Sequence, residues 1–286
     1  MVDVIIIGNG PAGVSAAIYI QRAGLKSLII GKDAGSLGKA EKIENYYGFV
    51  NPISGKKLVS SGLLQAKRLG STYIKDEVTG LNYDGNFIVN TKNKSFTSKS
   101  VLIATGTVKN KPKIEGLKEF EGRGVSYCAV CDGFFYRGKD VAVVGNSDYA
   151  LHEAKELLPL VKSLTLLTNG NNLNTNIPSN INVNFKKILS IEGGDTAEYI
   201  NFDDGSAVNF DGIFIAIGSA SSSDLAKKIG AEIEKDNIVV NKNLQTNIEG
   251  LFAAGDCTGG MLQISKAIYE GSKAGTEIIK FIRKNN

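Results

Sequence analysis

The sequence predicts an α/β protein built from two domains that share one plan. Three observations lead to this prediction. The chain has 286 residues, and a domain commonly contains roughly 100–200 residues. The apolar run 2–7 is followed by the glycine-rich turn 8–13 and then by helical periodicity, which is the order of a strand–turn–helix unit. A second unit of the same kind begins at Asp140.

The composition is that of a folded chain, with 42% apolar and 22% charged residues, which excludes a disordered or collagen-like protein. No run of 18 apolar residues occurs, so we expect no transmembrane helix. The first residues enter an apolar strand without a basic region or a cleavage site, so we expect no signal peptide. We therefore expect a cytoplasmic protein whose partners include neither a membrane nor a nucleic acid.

The elements of the first domain follow from apolar runs, helical periodicity and glycine turns. A continuous apolar run such as 2–7 is typical of a strand buried in a parallel sheet. The elements expected after it are a helix from the glycine turn to about Ala23, a strand at 25–30, a helix at 55–70, and strands at 87–91 and 95–104.

The second domain repeats this order about 137 residues later. The elements expected there and beyond are a strand at 140–144, a turn at 145–150, a helix at 149–160, a strand at 164–167, an asparagine-rich loop at 169–176, β-rich segments around 181–217, a last strand at 252–256 and a terminal helix at 261–284. No short repeat occurs, so the duplication is one of whole domains.

The first glycine turn predicts a bound dinucleotide. Gly8, Gly10 and Gly13 permit a tight turn and the close approach of a pyrophosphate to the N-terminus of the following helix. An acid that holds a ribose often ends the second strand of such a unit. Gly31 stands there instead, and Asp33 is displaced by two positions, so the sequence leaves open how the ribose is held.

A pair of cysteines predicts redox chemistry. Cys128 and Cys131 have the spacing of thiols that cycle between dithiol and disulfide, and the adjacent Asp132 could move a proton. A zinc site would need two further ligands, for which only Cys257 and His152 remain among cysteines and histidines. We therefore expect no metal, and a buried pair without a function stays the other alternative.

These features, taken with others in the same order, resemble one family. The motifs are Gly8–Gly13, Ala34-Gly35-Ser36-Leu37, Glu44-Asn45, Ala104-Thr105-Gly106, the run YCAVCDGFFYR at Tyr127–Arg137, and Ala254-Gly255-Asp256. The sequence resembles the low-molecular-weight thioredoxin reductases over nearly its whole length. The run that contains the cysteine pair is the motif most specific to them.

The resemblance implies two Rossmann-like, three-layer domains, with a central domain at 116–246 inserted into an FAD domain formed by 1–115 and 247–286. It also implies a homodimer with non-covalent FAD. Asp256 would bind the ribityl or phosphate end of FAD, Gln263 and Ile264 would present backbone to the isoalloxazine, and Asn45 would lie near it. The full set of FAD-binding residues implied is Gly8, Gly10, Pro11, Ala12, Gly13, Gly35, Leu37, Asn45, Ala104, Thr105, Gly106, Gly255, Asp256, Gln263 and Ile264.

The resemblance also assigns roles to the redox residues. Cys131 would face the flavin, Cys128 would form the mixed disulfide with thioredoxin, and Asp132 would be the proton shuttle.

The central domain departs from the NADPH-dependent members of this family. Those members carry Gly-x-Gly-x-x-Ala, whereas here Ser147 replaces the second glycine and the bulky Tyr149 precedes Ala150. Their arginine cluster, which grips the 2′-phosphate, has no cation in its place at 168–174. We therefore do not expect NADPH to bind.

Without NADPH, electrons must reach the flavin from another donor. Residues 116–246 carry 12 Lys and Arg against 17 Asp and Glu, and the rest of the chain carries 21 against 12. A basic FAD domain would attract an acidic protein donor such as a ferredoxin, although surface lysines alone are also ordinary. The sequence is most similar to the ferredoxin-dependent flavin thioredoxin reductases, which lack the NADPH motifs. The function predicted is thus electron transfer from reduced ferredoxin through FAD and the Cys128–Cys131 disulfide to thioredoxin.

Three alternatives stay open. The first is an NADPH-dependent thioredoxin reductase with an atypical nucleotide site. The second is a flavin-dependent dithiol oxidase or a diflavin disulfide oxidoreductase. The third is a flavin-bound redox sensor or adaptor without enzymatic activity.

Overall fold

The computed structural model describes residues 2–107, 112–173 and 175–285. The chain divides into two compact units, one formed by Met1–Val108 with Ser221–Asn286 and the other by Lys109–Ala220. Each unit contains a parallel sheet with helices. The predicted α/β class, with one domain inserted into the other, is therefore confirmed.

The chain enters the first unit, passes through the second and returns to the first. The N-terminal part of the first unit contains β1 (Val2–Ile7), α1 (Pro11–Arg22), β2 (Ser27–Gly31), α2 (Gly55–Arg68), β3 (Thr72–Lys75), β4 (Val78–Tyr83), β5 (Phe87–Thr91) and β6 (Ser95–Ile103). The second unit contains β7 (Val125–Ser126), α3 (Ala129–Asp132), β8 (Asp140–Val144), α4 (Asp148–Leu157), β9 (Ser163–Leu167), β10 (Asn182–Asn184), β11 (Ile188–Gly193), β12 (Ala197–Phe202), β13 (Ala207–Asn209) and β14 (Gly212–Ile215). The returning part contains α5 (Ser222–Lys227), β15 (Ile233–Glu234), β16 (Asn237–Ile238), β17 (Leu251–Ala253) and α6 (Ile264–Lys284).

The sheet of the first unit is parallel in the order β3-β2-β1-β6-β17, and an antiparallel extension, β4-β5, pairs with the N-terminal half of β6. Its central strands are buried on both faces, as their continuous apolar runs predict. Against one face, α1 and α6 pack with residues such as Ile20 and Ile278, which are fully buried in one core with Ile6 and Leu102.

The second unit repeats the plan with a parallel sheet in the order β10-β9-β8-β14-β7 and adds an antiparallel meander, β11-β12-β13. Its core joins the sheet to the meander, because Val144 and Ile213 share one apolar cluster with Ile191 and Phe202. Strands β7, β8 and β14 end at the same edge, so the loops that follow them lie close together.

The C-terminal boundary of the second unit differs from the expected one. The sequence placed it at 246, whereas the structure groups 221–246 with the first unit. Two contacts explain the difference: Ser222 Oγ donates to the carbonyl of Gly106 at 3.1 Å, and Lys228 Nζ, in a buried side chain, donates to the carbonyl of Thr79 at 3.1 Å.

Candidate functional site

Most of the implied FAD-binding residues line one cleft of about 330 Å³ in the first unit. The lining residues among them are Gly8, Gly10, Pro11, Ala12, Gly35, Leu37, Ala104, Thr105, Gly106, Gly255, Asp256, Gln263 and Ile264. The other two lie next to the cleft. Gly13 packs under the loop against the carbonyl of Gly8, and Asn45 Nδ2 donates to Gln263 Oε1 at 3.1 Å.

The loop between β1 and α1 leaves a helix N-terminus open to this cleft. Gly8 has a φ of +117°, and a Cβ there would collide with the carbonyl oxygen of Ala104. Pro11 is the first residue of α1, and Gly10 before it offers no capping side chain. A Cβ on Gly10 would have nothing within 4 Å. The free N–H groups at this helix end can therefore receive a phosphate.

The missing acid at the end of β2 has a steric cause. Any side chain on Gly31 would overlap the side-chain amide of Asn9, which fills the space beside it. Asp33 does not replace the acid, since its Oδ1 accepts the backbone N–H of Gly35 at 2.7 Å and so shapes the 34–37 turn. Asn9 is thus a residue of this cleft that the sequence analysis did not identify.

Two charged residues brace the turn that carries Asp256. Glu270 Oε2 accepts the backbone N–H of Gly255 at 2.8 Å and the hydroxyl of Thr258 at 2.9 Å. Lys266 Nζ donates to the carbonyl of Gly255 at 2.8 Å and pairs with Glu270 at 3.2 Å. The sequence does not single out this pair, because two charges four residues apart on a helix are typical of an exposed surface.

The cleft fits a dinucleotide cofactor such as FAD. The glycine loop allows a pyrophosphate to approach the backbone, and the start of α1 supplies N–H donors for it. In addition, the hydroxyl of Thr105, on the cleft wall, is buried and has no hydrogen-bond partner among the described residues. A buried polar atom of this kind normally finds a partner in the working protein, and a bound ligand would provide one.

Cys257 follows Asp256 but is a packing residue. It is fully buried, and its Sγ donates to the carbonyls of Ala254 at 3.3 Å and Ile103 at 3.4 Å. Burial raises the pKa of this thiol to about 12. The thiolate, which is the reactive form, is therefore scarce at neutral pH.

The second unit contains the cysteine pair as a disulfide. Cys128 and Cys131 are joined, and their Cα atoms lie 5.3 Å apart at the start of α3. The backbone N–H of Cys131 donates to the sulfur of Cys128 at 3.2 Å. The two cysteines differ in access, because Cys128 is only 4% exposed whereas Cys131 is exposed.

Asp132 is held beside the disulfide by a serine. Ser126 Oγ donates to Asp132 Oδ2 at 2.6 Å and accepts the backbone N–H of Cys128 at 3.1 Å. The Asp132 charge also reaches Tyr136, whose pKa is raised by burial first and by Asp132 second. The hydroxyl of Ser126 thus links Asp132, the expected proton carrier, to the backbone of Cys128.

A buried glutamate also touches this turn. Glu153 on α4 is 1% exposed, and its Oε2 accepts the backbone N–H of Ala129 at 2.9 Å. Ala129 is the first residue of α3. No sequence signal identified Glu153, since glutamate at one position of an amphipathic helix is usually a surface residue.

The second glycine loop is closed by the protein's own groups. Ser147 Oγ donates to the carbonyl of Gly218 at 2.7 Å, and Asn146 Nδ2 donates to the carbonyl of Asn172 at 2.9 Å. Asp148 places a carboxylate in the first turn of α4, where a pyrophosphate would bind. The ring of Tyr149 does not obstruct the second glycine loop, because it is buried in the core at 2% exposure.

The expected absence of a cation near this loop needs one correction. The loop has none at 168–173, and Asn174 lies outside the described residues. However, the fold brings Lys187, which follows β10, beside Gly170: a Cβ built on Gly170 would lie 3.3 Å from the Cβ of Lys187. Lys187 is exposed. Lys187 could not be identified from the sequence, because its contact with Gly170 depends on how β10 pairs with β9.

Two features are absent from residues 2–107, 112–173 and 175–285. Within them, no group of three or more His, Cys, Asp or Glu side chains is placed to hold a metal ion. No helix in the same part of the chain is both long and apolar enough to cross a membrane.

The sequence matches the family model described as pyridine nucleotide-disulphide oxidoreductase over residues 2–271. The chain belongs to this family. Within it, the chain is 34% identical to the thioredoxin reductase of Aquifex aeolicus (strain VF5), with 98% of this chain and 93% of that protein covered. The resemblance to thioredoxin reductases is therefore confirmed.

Solved structures of similar proteins agree with this placement. The atypical thioredoxin reductase TRi from Desulfovibrio vulgaris Hildenborough matches with a TM-score of 0.93 and 38% identity, covering 99% of both chains. A ferredoxin-flavin thioredoxin reductase from Clostridium acetobutylicum matches with a TM-score of 0.72 and 28% identity, covering 99% of this chain and 98% of that one.

Proposed function

We propose that this protein is a flavoprotein disulfide reductase that passes electrons from reduced ferredoxin through FAD and the Cys128–Cys131 disulfide to thioredoxin. One observation carries the proposal. The glycine loop of the first unit is open for a dinucleotide, whereas Ser147 and Asn146 close the corresponding loop of the second. One dinucleotide cofactor and one disulfide then account for the chemistry, and no pyridine nucleotide is needed.

When bound, FAD supplies redox chemistry that can accept electrons singly and deliver them in pairs. The open start of α1, beginning at Pro11, would bind its pyrophosphate, and the braced turn at Asp256 would hold the ribityl or phosphate end. Two electrons and two protons open the disulfide to two thiols. Cys131 is the exposed cysteine, and it takes the flavin-side role.

Reduction of thioredoxin then needs only groups of the redox turn. The Cys128 thiolate attacks the thioredoxin disulfide, and the bond that forms is a mixed disulfide. Cys131 attacks that bond, the Cys128–Cys131 disulfide forms again, and thioredoxin leaves as a dithiol. Each attack breaks an S–S bond and releases a thioredoxin thiolate, and Asp132 passes the protons of the two cysteine thiols to these thiolates. Since Cys128 is buried in the disulfide form, its sulfur must become accessible after the bond opens.

Charge supports a ferredoxin as the donor. The first unit, 1–108 with 221–286, carries 22 Lys and Arg against 15 Asp and Glu, whereas 109–220 carries 11 against 14. A basic unit attracts an acidic protein at long range. A ferredoxin-flavin thioredoxin reductase is among the similar solved structures.

The proposal includes a homodimer in the cytoplasm. A cleft of about 560 Å³ in the first unit has apolar and aromatic lining, to which Tyr47 and Phe49 contribute. Tyr47 and the neighbouring Val50 are almost fully exposed, and exposed apolar patches mark interaction sites. A second copy would cover them. In sedimentation, Val50→Asp should shift the protein toward monomer, while a monomeric wild type would contradict the dimer.

The testing experiment is an anaerobic titration of the oxidised holoprotein, followed by flavin absorbance. Reduced ferredoxin is added to one sample and NADPH to another, and thioredoxin reduction is assayed after each. We expect ferredoxin to bleach the flavin and to support thioredoxin reduction, and NADPH to do neither. Prompt bleaching by NADPH would contradict the ferredoxin assignment.

The role of Cys131 has a separate test. In Cys131→Ser, the donor should still reduce the flavin, but electrons should not reach thioredoxin. Thioredoxin turnover at the normal rate would contradict the assignment.

An NADPH-dependent reductase is the second candidate, and Lys187 favours it. This exposed cation lies beside Gly170, at the end of β9, where a 2′-phosphate would be recognised. If NADPH is the donor, Lys187→Ala should raise its KM about tenfold and leave NADH unaffected. If ferredoxin is the donor, the same variant should reduce thioredoxin at the wild-type rate, which makes Lys187→Ala a test of both candidates.

A further inference from the structure

We propose that Glu153 is a positioning residue that tunes the Cys128–Cys131 disulfide. Its carboxylate holds the first turn of α3 and makes the Cys128 thiolate less stable. The dithiol form of the pair is therefore a stronger reductant. This inference deepens the proposed function and rests on the disulfide being redox-active.

The first step concerns position. Glu153 Oε2 accepts the backbone N–H of Ala129 at 2.9 Å, and Ala129 is bonded directly to Cys128. A charged acceptor makes a stronger hydrogen bond than a neutral one. The redox turn is thereby fastened to α4 at its N-terminal end, while Ser126 fastens it through the N–H of Cys128.

The second step concerns charge. At 1% exposure, the carboxyl of Glu153 is shielded from water, so a charge there acts over a medium of low effective dielectric. This charge opposes the negative charge that Cys128 must carry when it attacks thioredoxin.

Other ionisable groups face the turn and must be kept constant in any test. Asp132 and Tyr136 lie on the redox segment itself. On the packed helix α4, the other ionisable side chains that are buried or half-buried are Asp148, Tyr149, His152 and Glu156. The N–H of Ala129 donates to Glu153. A substitution of Glu153 therefore changes the acceptor of this N–H and leaves the other ionisable side chains in place.

The electron balance shows the direction of the effect. Reduction breaks the S–S bond and consumes two electrons, with two protons if both sulfurs become thiols and one if Cys128 stays a thiolate. A carboxylate beside Cys128 disfavours the thiolate and hence the reduced form. Removing the charge should therefore make the disulfide easier to reduce and the reduced protein a weaker reductant.

The experiment equilibrates the purified holoprotein with mixtures of reduced and oxidised dithiothreitol and traps the thiols with an alkylating reagent. Dithiothreitol supplies the two electrons and becomes its cyclic disulfide. We expect Glu153→Gln, which retains an oxygen acceptor but no charge, to shift the equilibrium about tenfold toward the reduced form, which is about 30 mV. In the Cys131→Ser background, Glu153→Gln should also lower the apparent pKa for alkylation of Cys128.

The matched control is Glu156→Gln. Glu156 lies on the same helix but is partly exposed and faces the His152 ring at 3.7 Å. It should leave the equilibrium and the pKa unchanged. If Glu153→Gln does not fold, Glu153→Asp, which withdraws the carboxylate by one methylene, should give a smaller shift in the same direction.

The possible failures are distinguishable. If the wild-type disulfide does not exchange with dithiothreitol at all, the proposed function is wrong. If it exchanges normally but Glu153→Gln matches the wild type in both readouts, Glu153 is merely structural and the inference is overturned. An equal shift in Glu156→Gln would overturn it as well, because the effect would then belong to the net charge of α4.

Discussion

The two glycine loops of this protein begin alike and end differently. Gly8 and Gly145 play the same part, since a Cβ on either would collide with a carbonyl oxygen on a neighbouring strand's end, at Ala104 and Ala216 respectively. The two loops differ from the second glycine position of the motif onward. Gly10 and Pro11 leave the first helix open, whereas Ser147 and Asp148 supply a hydroxyl that bonds the protein itself and a carboxylate.

The comparison distinguishes the residues that the fold of such a unit needs from those that a bound phosphate would approach. The second unit retains the parallel sheet, the crossing helix and the tight first glycine, because these hold its core together. It differs from the first at the positions that a bound phosphate would approach, where Ser147 and Asp148 stand. The second unit also contains the disulfide and the groups around it, and we propose that cofactor binding and thiol chemistry are divided between the two units.

The largest effect should come from giving the first loop the charge of the second. We expect Gly10→Asp to weaken FAD binding at least 100-fold, because a carboxylate would meet the pyrophosphate at the open start of α1. The fold should survive, since nothing lies within 4 Å of a Cβ at this position. The flavin-to-protein absorbance ratio and titration of the apoprotein measure the loss. Full flavin content in this variant would mean that the cofactor is held elsewhere.

Asp132→Asn should do the reverse and spare the cofactor. Removing a general acid–base group typically costs 10²–10⁴-fold, so we expect thioredoxin reduction to fall about 100-fold while flavin content stays at the wild-type level. The Ser126 hydrogen bond has an amide oxygen to accept it, so the turn should keep its shape. Activity near that of the wild type would remove Asp132 from the mechanism.

The cysteines of the two units should differ in reactivity. In the reduced native protein, a thiol reagent should titrate Cys128 and Cys131 at once and Cys257 only after unfolding, because burial raises the pKa of Cys257 to about 12.

The raised pKa of Cys257 also affects stability. Between about pH 9 and pH 12 the unfolded chain loses this proton and the folded chain keeps it, so unfolding becomes easier by about 1.4 kcal/mol per pH unit. Cys257→Ala should make the pH dependence of stability shallower by this contribution, while Tyr136, whose pKa is also raised, keeps its own. Three fast thiols would contradict the burial.

The smallest effect should come from reopening the second loop. In Ser147→Gly combined with Asp148→Asn, the loop loses the hydroxyl that bonds to Gly218, and the helix end loses the opposing charge. We expect NADH or NADPH affinity to improve only about fivefold over the wild type, because Lys187 is one exposed cation beside Gly170 and not an arginine cluster. Calorimetry measures this change. Tight nucleotide binding by the wild type would show that the loop is not closed in solution.

The sequence was sufficient for the features that are local. Apolar runs located β1 and β8 at their observed bounds, and the glycine loop located the cleft. Strand β3 was missed because Thr72–Lys75 is half-exposed and carries no continuous apolar run. Strand β4 was missed as well. Short α5 was missed for the same lack of periodicity.

The remaining site residues were out of reach for a different reason. Asn9, Glu153, Lys187 and the Lys266–Glu270 pair are ordinary residues in their local sequence. Each acquires its role from a contact with a distant part of the chain, such as the bond from Ala129 to Glu153. Only packing creates such contacts, so neither periodicity nor a motif could identify them.

The order of synthesis has a consequence for the first unit. Its sheet is completed by β17 beside β6, and α1 is covered by α6, yet both are translated after the whole second unit. At about 5–20 residues per second, the nascent first unit waits on the order of ten seconds with an open strand edge and an uncovered apolar helix face. The second unit, by contrast, is continuous in sequence and contains its own core. A chaperone that shields the waiting half should therefore raise the yield of flavin-loaded protein more than it raises the yield of the inserted unit.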